Sequence, residues 1–442
     1  MTTVPSHNKK LNILIIGGGV CGLTLAVSLA KYGVNAHIYE AAAKFGEIGA
    51  GIGIGQNAIR ILQTIGVVDS ILEKAGESGR SMHRMFRFIS GMEGHEVVYA
   101  YPDDPEGGNV GVARSSFLDA LVELVDPQYT HFNKRCVSVK QPSKEEPRPT
   151  AYFADGTSSS ADVILLANGI WGAGREAVTG VSPKSHVAFS NAICYRGLVS
   201  ADAARALGVK SVAVKDTEDG PVCYMGEGKH LIVFPIKGGT ILNIVAFVVD
   251  RSIEVGSTRL AEGQPTVVPV TKEELLHEYE GWGPDVINLL SCIEQPNKWY
   301  INVVYPPLET YVNDRIALLG DAAHGMVPHL GAGAGQGIED AYLLSKLLSH
   351  PQATPDTVEA ALRVYDAVRR PRAQRVWEAS IRAADIYEGY GEHGASNEAR
   401  RRDLEGIWDW VWHHGADEDY HLALEMLRSQ GLFDSLPQRM SC

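Results

Sequence analysis

Cysteine is scarce and scattered in this chain: Cys21, Cys136, Cys194, Cys223, Cys292 and Cys442 never fall into a C-x-x-C pair. That spacing excludes a zinc knuckle and offers no disulfide framework, so buried or idle thiols in a reducing compartment are expected. H-E-x-x-H and clustered His/Cys ligand sets are missing too, and no metal is expected. Basic runs are also lacking: 40 basic against 53 acidic residues give a net charge of −13. Such a chain is a poor partner for a phosphate backbone, so no nucleic acid is expected, and any anion site must be built locally. Long apolar runs are absent from both termini. Met1–Lys10 is polar, and the run Leu11–Ile16 is short and followed by glycines. Neither a secretory signal nor a membrane span is expected there. Gln438–Cys442 carries no recognised anchor or peroxisomal address, which leaves the cytoplasm as the default location. No repeat or low-complexity tract stands out.

What is present is ordinary globular composition, with 45% hydrophobic and 21% charged residues over 442 positions. That length exceeds one compact core, so two or more subdomains, interleaved or sequential, are expected. Leu11–Ile16 reads as a buried strand, Leu23–Tyr32 as a helix closed by Gly33, and Asn35–Tyr39 as a second strand ending at Glu40. Together they make one βαβ unit. His131–Val139 and Ala151–Ala154 read as strands around an exposed, proline-rich loop at Lys140–Thr150, with a turn at Asp155-Gly156. Asp162–Ala167 and Arg315–Leu319 return to the buried-strand type. Between them, from about Ser190 to Asp250, the pattern is β-rich, with Leu231–Phe234 and Ile241–Val249 turning at Gly238-Gly239. Helices follow at Gly337–Leu348, at Thr357–Glu388, which Pro371 can kink or split, and from Asn397 onward. A parallel sheet with strands from both ends of the chain explains this order.

Gly17-x-Gly19-x-x-Gly22 follows the first strand and opens the first helix, and Glu40 ends the second strand. The first glycine makes the tight turn, the second admits a pyrophosphate to the backbone, and the third allows close helix–strand packing. The acid accepts hydrogen bonds from a ribose hydroxyl, which argues against a 2′-phosphate there. This motif alone does not separate NAD from FAD. A second glycine-rich strand end runs from Asp314 through Gly320 and Asp321 to Gly337. Asp321 can accept hydrogen bonds from a polyol chain. The small residues Gly331–Gly337, including Gly333 and Ala334, lead into a helix whose free N–H groups suit the electron-rich pyrimidine side of a flavin.

Over nearly its whole length the sequence resembles the group A FAD-dependent aromatic hydroxylases, in the salicylate hydroxylase-like branch of fungal type. GGGVCGL at 17–23 is similar to the family's ADP-binding glycines, and GAGIGIGQNAIRIL at 49–62, with Gly51 and Gly53, resembles its loop near the flavin ring. GVARSSFLDAL at 111–121 resembles the segment whose arginine, here Arg114, reaches the cofactor. ADVILLANGIWGAGR at 161–175 resembles a motif linked to FAD and nicotinamide binding. GDAAHGMVPHLGAGAGQGIEDA at 320–341 is the most specific match, and YDAVRRPRAQRV at 365–376 resembles a recurrent helical signature. The chain departs from the family pattern at Asn168 (usually Asp), Gln56 (commonly Pro) and Leu330 (commonly Gln). The first change removes a carboxylate usually associated with the nicotinamide cofactor.

The resemblance implies an α/β fold. It comprises a Rossmann-like FAD-binding domain of the glutathione reductase and p-hydroxybenzoate hydroxylase kind, interleaved with a β-sheet substrate domain and followed by C-terminal helices. The expected division is 1–80, 110–180 and 301–350 for FAD, 81–109 and 181–300 for substrate, and 351–442 for the helices. It also implies FAD as cofactor, NADH or NADPH as transient reductant, O2 as co-substrate, a C4a-hydroperoxyflavin as oxygen donor and a small phenolic acid as substrate, with or without decarboxylation. Ring activation needs a phenolate, which a fixed guanidinium favours, and Arg196 is the candidate. Tyr224 is a candidate partner of the substrate hydroxyl. His329 can hold a carboxylate or steer a proton, and the backbone after Pro328 can cradle the peroxide. His324 and His230 are expected to be structural, and Met225, Phe234, Trp282 and Tyr305 are candidate pocket walls that also suit plain core. Trp408, Trp410 and Trp412 can cap the substrate domain or make a homodimer. Two other readings are a hydroxylase of a polyketide or other secondary-metabolite phenol, and a non-catalytic flavin-binding protein.

Overall fold

A computed structural model describes residues 11–46, 51–77, 86–102, 109–210, 220–261 and 263–433. Met1–Lys10, Gly49 and Ala50 of the ring-loop motif, 81–85 and 103–108, and Gln438–Cys442 lie outside them. The βαβ unit forms as the sequence predicts: a strand at Ile13–Ile16, a helix at Val20–Lys31 and a strand at His37–Tyr39. All four residues of the first strand are buried, because it lies inside a six-stranded sheet. Its neighbours are His37–Tyr39 on one side and Val163–Leu166 on the other, both parallel to it. Ile316–Leu318 adds parallel to Val163–Leu166, so the sheet joins strands from both ends of the chain. The continuous apolar runs in these strands reflect helices packed over the sheet. Ser28 Oγ lies 2.6 Å from Ser345 Oγ where the first helix meets the helix Gly333–Leu348.

A second, eight-stranded sheet carries the middle of the chain. Its long central strands are Val187–Ser200, Ile241–Val249 and Lys229–Ile236, paired antiparallel, with Asn297–Val304 beyond the first and Val222–Met225 beyond the last. Gly238 and Gly239 turn the predicted hairpin with positive φ. Leucine, isoleucine and tyrosine side chains on one face make a separate core with helices Lys272–Glu278 and Pro284–Ser291. Residues of the opposite face, Arg196, Phe234 and Phe247 among them, line a cavity shared with the glycine-rich turns. The predicted strand over His131–Val139 is two strands, Thr130–His131 and Cys136–Lys140, in different sheets. Pro371 does not split its helix, which runs unbroken from Val358 to Tyr387. Arg369, Tyr365 and Trp377 anchor that helix on both sides of the proline, so tertiary packing holds it through the missing hydrogen bond. Among the described residues no helix is long and apolar enough to cross a membrane.

Candidate active site

Two distant glycine-rich turns meet at one cavity of about 580 Å³. Gly17 ends the first strand at φ 105°, a conformation that favours glycine, and a Cβ there would stand 2.5 Å from the Ala167 carbonyl oxygen. At Gly22 a Cβ would stand 2.0 Å from the Gly17 carbonyl oxygen, so both glycines serve close strand–helix packing. Gly19 differs: it lines the cavity, and a Cβ on it would meet no protein atom within 4 Å. Gly53 has the same open front, whereas Gly51 is small because the Phe234 ring would lie 2.6 Å from its Cβ.

Cys21 seats the two turns together. Its Sγ would lie 2.6 Å from a Cβ on Gly320 and 2.1 Å from one on Gly337, so only glycines allow this approach. Burial raises the Cys21 thiol far above its ordinary pKa, so it packs as an inert group. Behind the second turn, Asp340 accepts from the Gly320 amide at 3.0 Å and contacts His324 Nε2 at 2.6 Å, which leaves His324 structural as expected. Arg175, fully buried, donates to the Ala322 and Ile170 carbonyls at 2.9 and 2.7 Å and ties the loop after the central strand to the same turn. Burial lowers its pKa to about 10, which Asp321 partly offsets. Asn168 keeps its turn: Gly172 donates to the Gly169 carbonyl, and a Cβ on Gly172 would meet Asn168 Oδ1 at 2.2 Å.

The helices Val20–Lys31 and Gly333–Leu348 both begin at this cavity, and neither has a capping side chain. Two sets of free first-turn N–H groups therefore border one space, an arrangement that stabilises anionic groups. Arg114 and Asp321 stand on the same wall, with Gly333 and Ala334 at the second helix start. An extended dinucleotide with a flavin ring fits this donor set and the open fronts of Gly19 and Gly53. Glu40 is outside the cavity lining, and its carboxylate accepts from the Gly18 and Ala42 amides at 2.7 and 2.8 Å. It buttresses the turn.

The second sheet closes the cavity with alternate residues of its strands. Cys194 and Arg196 face inward from one strand, Ile232 and Phe234 from a second, Val245 and Phe247 from a third. The Arg196 guanidinium lies 5.2 Å from the Trp299 ring centroid, and Trp299 also lines the cavity. Pro328 and His329 enter from the opposite side, with the His329 ring 4.8 Å from Phe247. Arg196, Pro328 and His329 are thus brought together with the cofactor candidates Gly19, Gly51, Gly53, Arg114, Asp321, Gly333 and Ala334. Tyr224 is not. It points to the other face of its strand, into the core with Tyr195 and Leu231, and its ring meets His95 edge-on at 5.6 Å. Its assignment to the substrate hydroxyl is therefore corrected: adjacent Cys223 and Met225 have the cavity-side parity, and Tyr224 does not. Of the candidate walls only Phe234 lines the cavity. Met225 packs beneath Leu330, Trp282 fills the space beside Gly91 and Gly226, and Tyr305 stacks on Trp377.

Sequence reasoning missed two groups. His230, expected to be structural, sits with its Nε2 3.2 Å from His329 Nδ1 and its Nδ1 2.9 Å from Glu388 Oε1. The wall residues Trp299, Tyr300 and Asn302 were also missed, although alternation along Asn297–Val304 carries a weak signal for them. Trp408 and Trp412 line the cavity, stacked at 4.9 Å, and Trp408 Nε1 donates to the Leu330 carbonyl. These two border the site, whereas Trp410 is outside the cavity lining, with Arg375 over its ring.

Comparison with known proteins places the chain in context. The family model described as FAD binding domain matches residues 10–177 and 287–380. A salicylate hydroxylase of Pseudomonas putida is 36% identical over 424 residues, covering 93% of this chain and 95% of that protein. The 6-methylsalicylate 1-monooxygenase atA of Aspergillus terreus is 33% identical over 418 residues, covering 92% and 90%. The solved structure of a salicylate hydroxylase substrate complex superposes with a TM-score of 0.80 at 32% identity, covering 94% of this chain and 98% of that one.

Proposed function

Because this chain belongs to the FAD-dependent aromatic monooxygenases of the salicylate hydroxylase type, we propose that it hydroxylates a small phenolic acid in the cavity between its two sheets. The observation that carries this is the meeting of a cation, Arg196, and an imidazole, His329, with the rings of Phe234, Phe247 and Trp299 in the wall that adjoins the dinucleotide cradle. FAD, when bound, accepts hydride from NADH or NADPH and activates O2 for transfer to an electron-rich ring carbon.

The chain's own residues supply position and charge. Gly19, Arg114, Asp321, Gly333 and Ala334 are the residues proposed to hold FAD, through backbone donors and one charge of each sign. Arg196 pairs with the carboxylate or phenolate of the acid, in a place where net protein charge would repel it. Phe234 and Phe247 supply flat apolar walls for the ring, and Trp408 and Trp412 keep water out. A cation near the phenol oxygen lowers its pKa and enriches the ring. The backbone at Pro328 borders the same space.

The test is a panel of phenolic acids presented to the FAD-loaded protein, read by NAD(P)H oxidation, oxygen uptake and product mass. Substrate-stimulated oxidation with one added oxygen atom in the product is expected. Loss of carbon dioxide would mark oxidative decarboxylation. Hydroxylation only of larger phenols would favour a secondary-metabolite substrate. Bound flavin without stimulated turnover on any phenol would overturn the proposal and mark a non-catalytic flavin protein.

A further inference from the structure

A buried chain of hydrogen-bonding groups leads away from the cavity at His329. Its Nδ1 meets His230 Nε2 at 3.2 Å, His230 Nδ1 meets Glu388 Oε1 at 2.9 Å, and Glu388 Oε2 accepts from Arg251 at 2.7 Å. His230 and Glu388 have no exposed side-chain surface, while Arg251 is 27% exposed and also pairs with Asp385 at 2.5 Å. Each imidazole has one nitrogen towards the cavity side and one towards Glu388, so the carboxylate decides both tautomers.

When Glu388 is ionised it must accept, so His230 carries its proton on Nδ1 and its Nε2 is an acceptor. His329 then donates from Nδ1, and its Nε2, the nitrogen left for the cavity, is a bare acceptor. When Glu388 is protonated on Oε1, Arg251 still donates to Oε2, the Glu388–His230 and His230–His329 bonds reverse, and His329 presents an N–H to the cavity. Neither state needs an imidazolium. Burial, with Arg251 acting on His230 and His230 acting on His329, lowers both imidazoles to about 3 and keeps them neutral. Burial also raises Glu388 above the usual carboxylate range, against the pull of His329 and Arg251, which brings its two states within reach of each other.

We propose that Glu388 and His230 set His329 as a hydrogen-bond acceptor towards the substrate and store the phenolic proton during turnover. Resting on the phenol hydroxylase reading, this assigns the group at His329 as a hydroxyl donor and leaves the carboxylate to Arg196. The phenol O–H bond breaks and His329 Nε2 gains the proton. His329 Nδ1–H passes to His230 Nε2, and His230 Nδ1–H passes to Glu388 Oε1. The products are a phenolate and a neutral Glu388, with both imidazoles neutral in exchanged tautomers. The total charge of the site is unchanged, and no proton enters the solvent. The reverse shift reprotonates the product. His329 is the catalytic residue here; His230, Glu388 and Arg251 are positioning residues. The other titratable groups packed around the chain are Asp385 and Tyr387 on the long helix, Tyr390 stacked on Arg251, Tyr279 donating to the His230 carbonyl, Cys223, and Arg400 donating to the Gly226 carbonyl.

The experiment uses the FAD-loaded enzyme and 5-nitrosalicylate, whose phenolate absorbs in the visible. Binding to wild type in weak buffer with a pH indicator is expected to give the phenolate band with no proton released. Glu388→Gln is expected to lower the bound phenolate fraction at neutral pH by about tenfold or more and to make it follow the external pH, with FAD content unchanged. Arg251→Gln, at the half-exposed end of the chain, serves if Glu388→Gln does not fold. Losing the cation removes a group that holds Glu388 down and so raises it further, and the phenolate band should fade at neutral pH and return on alkalinisation. One proton released per ligand bound to wild type, no phenolate band in wild type, or the same pH dependence in wild type and variants would each overturn the relay. Failure of the parent reading looks different, since no phenolic acid would then stimulate NAD(P)H oxidation in wild type.

Discussion

Replacing Arg369 by Met should be among the most damaging changes outside the cavity. Arg369 is fully buried and reaches Glu339 at 2.6 Å, Asp340 at 2.9 Å and Asp419 at 3.2 Å, with Gln336 Oε1 at 2.9 Å. Among the described residues Glu339, Asp419 and His414 also form a cluster with metal-ligand side chains, and Arg369 already supplies its countercharge. Methionine fills similar space but leaves carboxylates buried around a missing cation. Such a loss costs about 3–5 kcal/mol, and the lower half applies because Arg372 and His324 still hold Glu339 and Asp340. With unfolding entropy growing in proportion to chain length, that is a fall of roughly 3–5 °C in Tm. Burial alone would raise Glu339 and Asp340, but Arg369 with Arg372 and His324 holds both at about 2. Their pairing therefore stabilises the fold above the unfolded carboxylate range and is lost as pH falls towards 2. The variant lacks most of that contribution, so its deficit should narrow as pH drops below about 4.5. Asp340 also accepts from Gly320, so FAD affinity should weaken. Thermal unfolding at pH 7 and pH 4, with FAD titration by flavin fluorescence, tests this. A Tm within about 1 °C of wild type at pH 7 would refute the reasoning.

Arg196→Ala should lower kcat/KM for the phenolic acid by roughly a hundredfold, the scale of a charge-assisted pair, yet leave FAD stoichiometry intact. Turnover near wild type in steady-state assays would remove Arg196 from the substrate site. Gly337→Ala should weaken FAD binding and cost about 1–3 kcal/mol by overpacking against Cys21, and a second change, Cys21→Gly, should restore much of both. Equal FAD affinity in wild type and Gly337→Ala would show that the two turns do not need this contact. The buried imidazoles predict an acid-side loss of stability. Both are lowered to about 3, so below their ordinary range the unfolded chain takes up protons that the folded chain refuses. At pH 5 that amounts to about 2 kcal/mol for each imidazole, reduced by Glu388, whose raised pKa acts in the opposite direction. The Tm of His230→Asn should therefore change less between pH 7 and pH 5 than that of wild type, and an unchanged slope would contradict it.

The glycine cradle was legible because local backbone demands write themselves into sequence. Gly17, Gly22, Gly320 and Gly337 each sit where a Cβ would collide, and acids, strands and helices follow them at fixed spacing. Arg196 and His329 were named through the family resemblance, and the fold brings both to the one cavity. Tyr224 misled because Val222–Met225 is buried on both faces, so hydrophobicity carries no parity to say which face a side chain takes. His230 was passed over for the same reason: a histidine in a buried strand looks like satisfied core until Glu388, 158 residues away, is seen at its Nδ1.

The sequence by itself determined the βαβ unit, the second glycine turn and the resemblance to a flavin hydroxylase, since each rests on residues close together in the chain. Only the tertiary structure decided which face of the eight-stranded sheet meets the cavity, that Trp408 and Trp412 border it, and that two histidines and a glutamate form one buried line. Those depend on packing between segments far apart in sequence, where strand parity and long-range contact, and no local spacing, set the geometry.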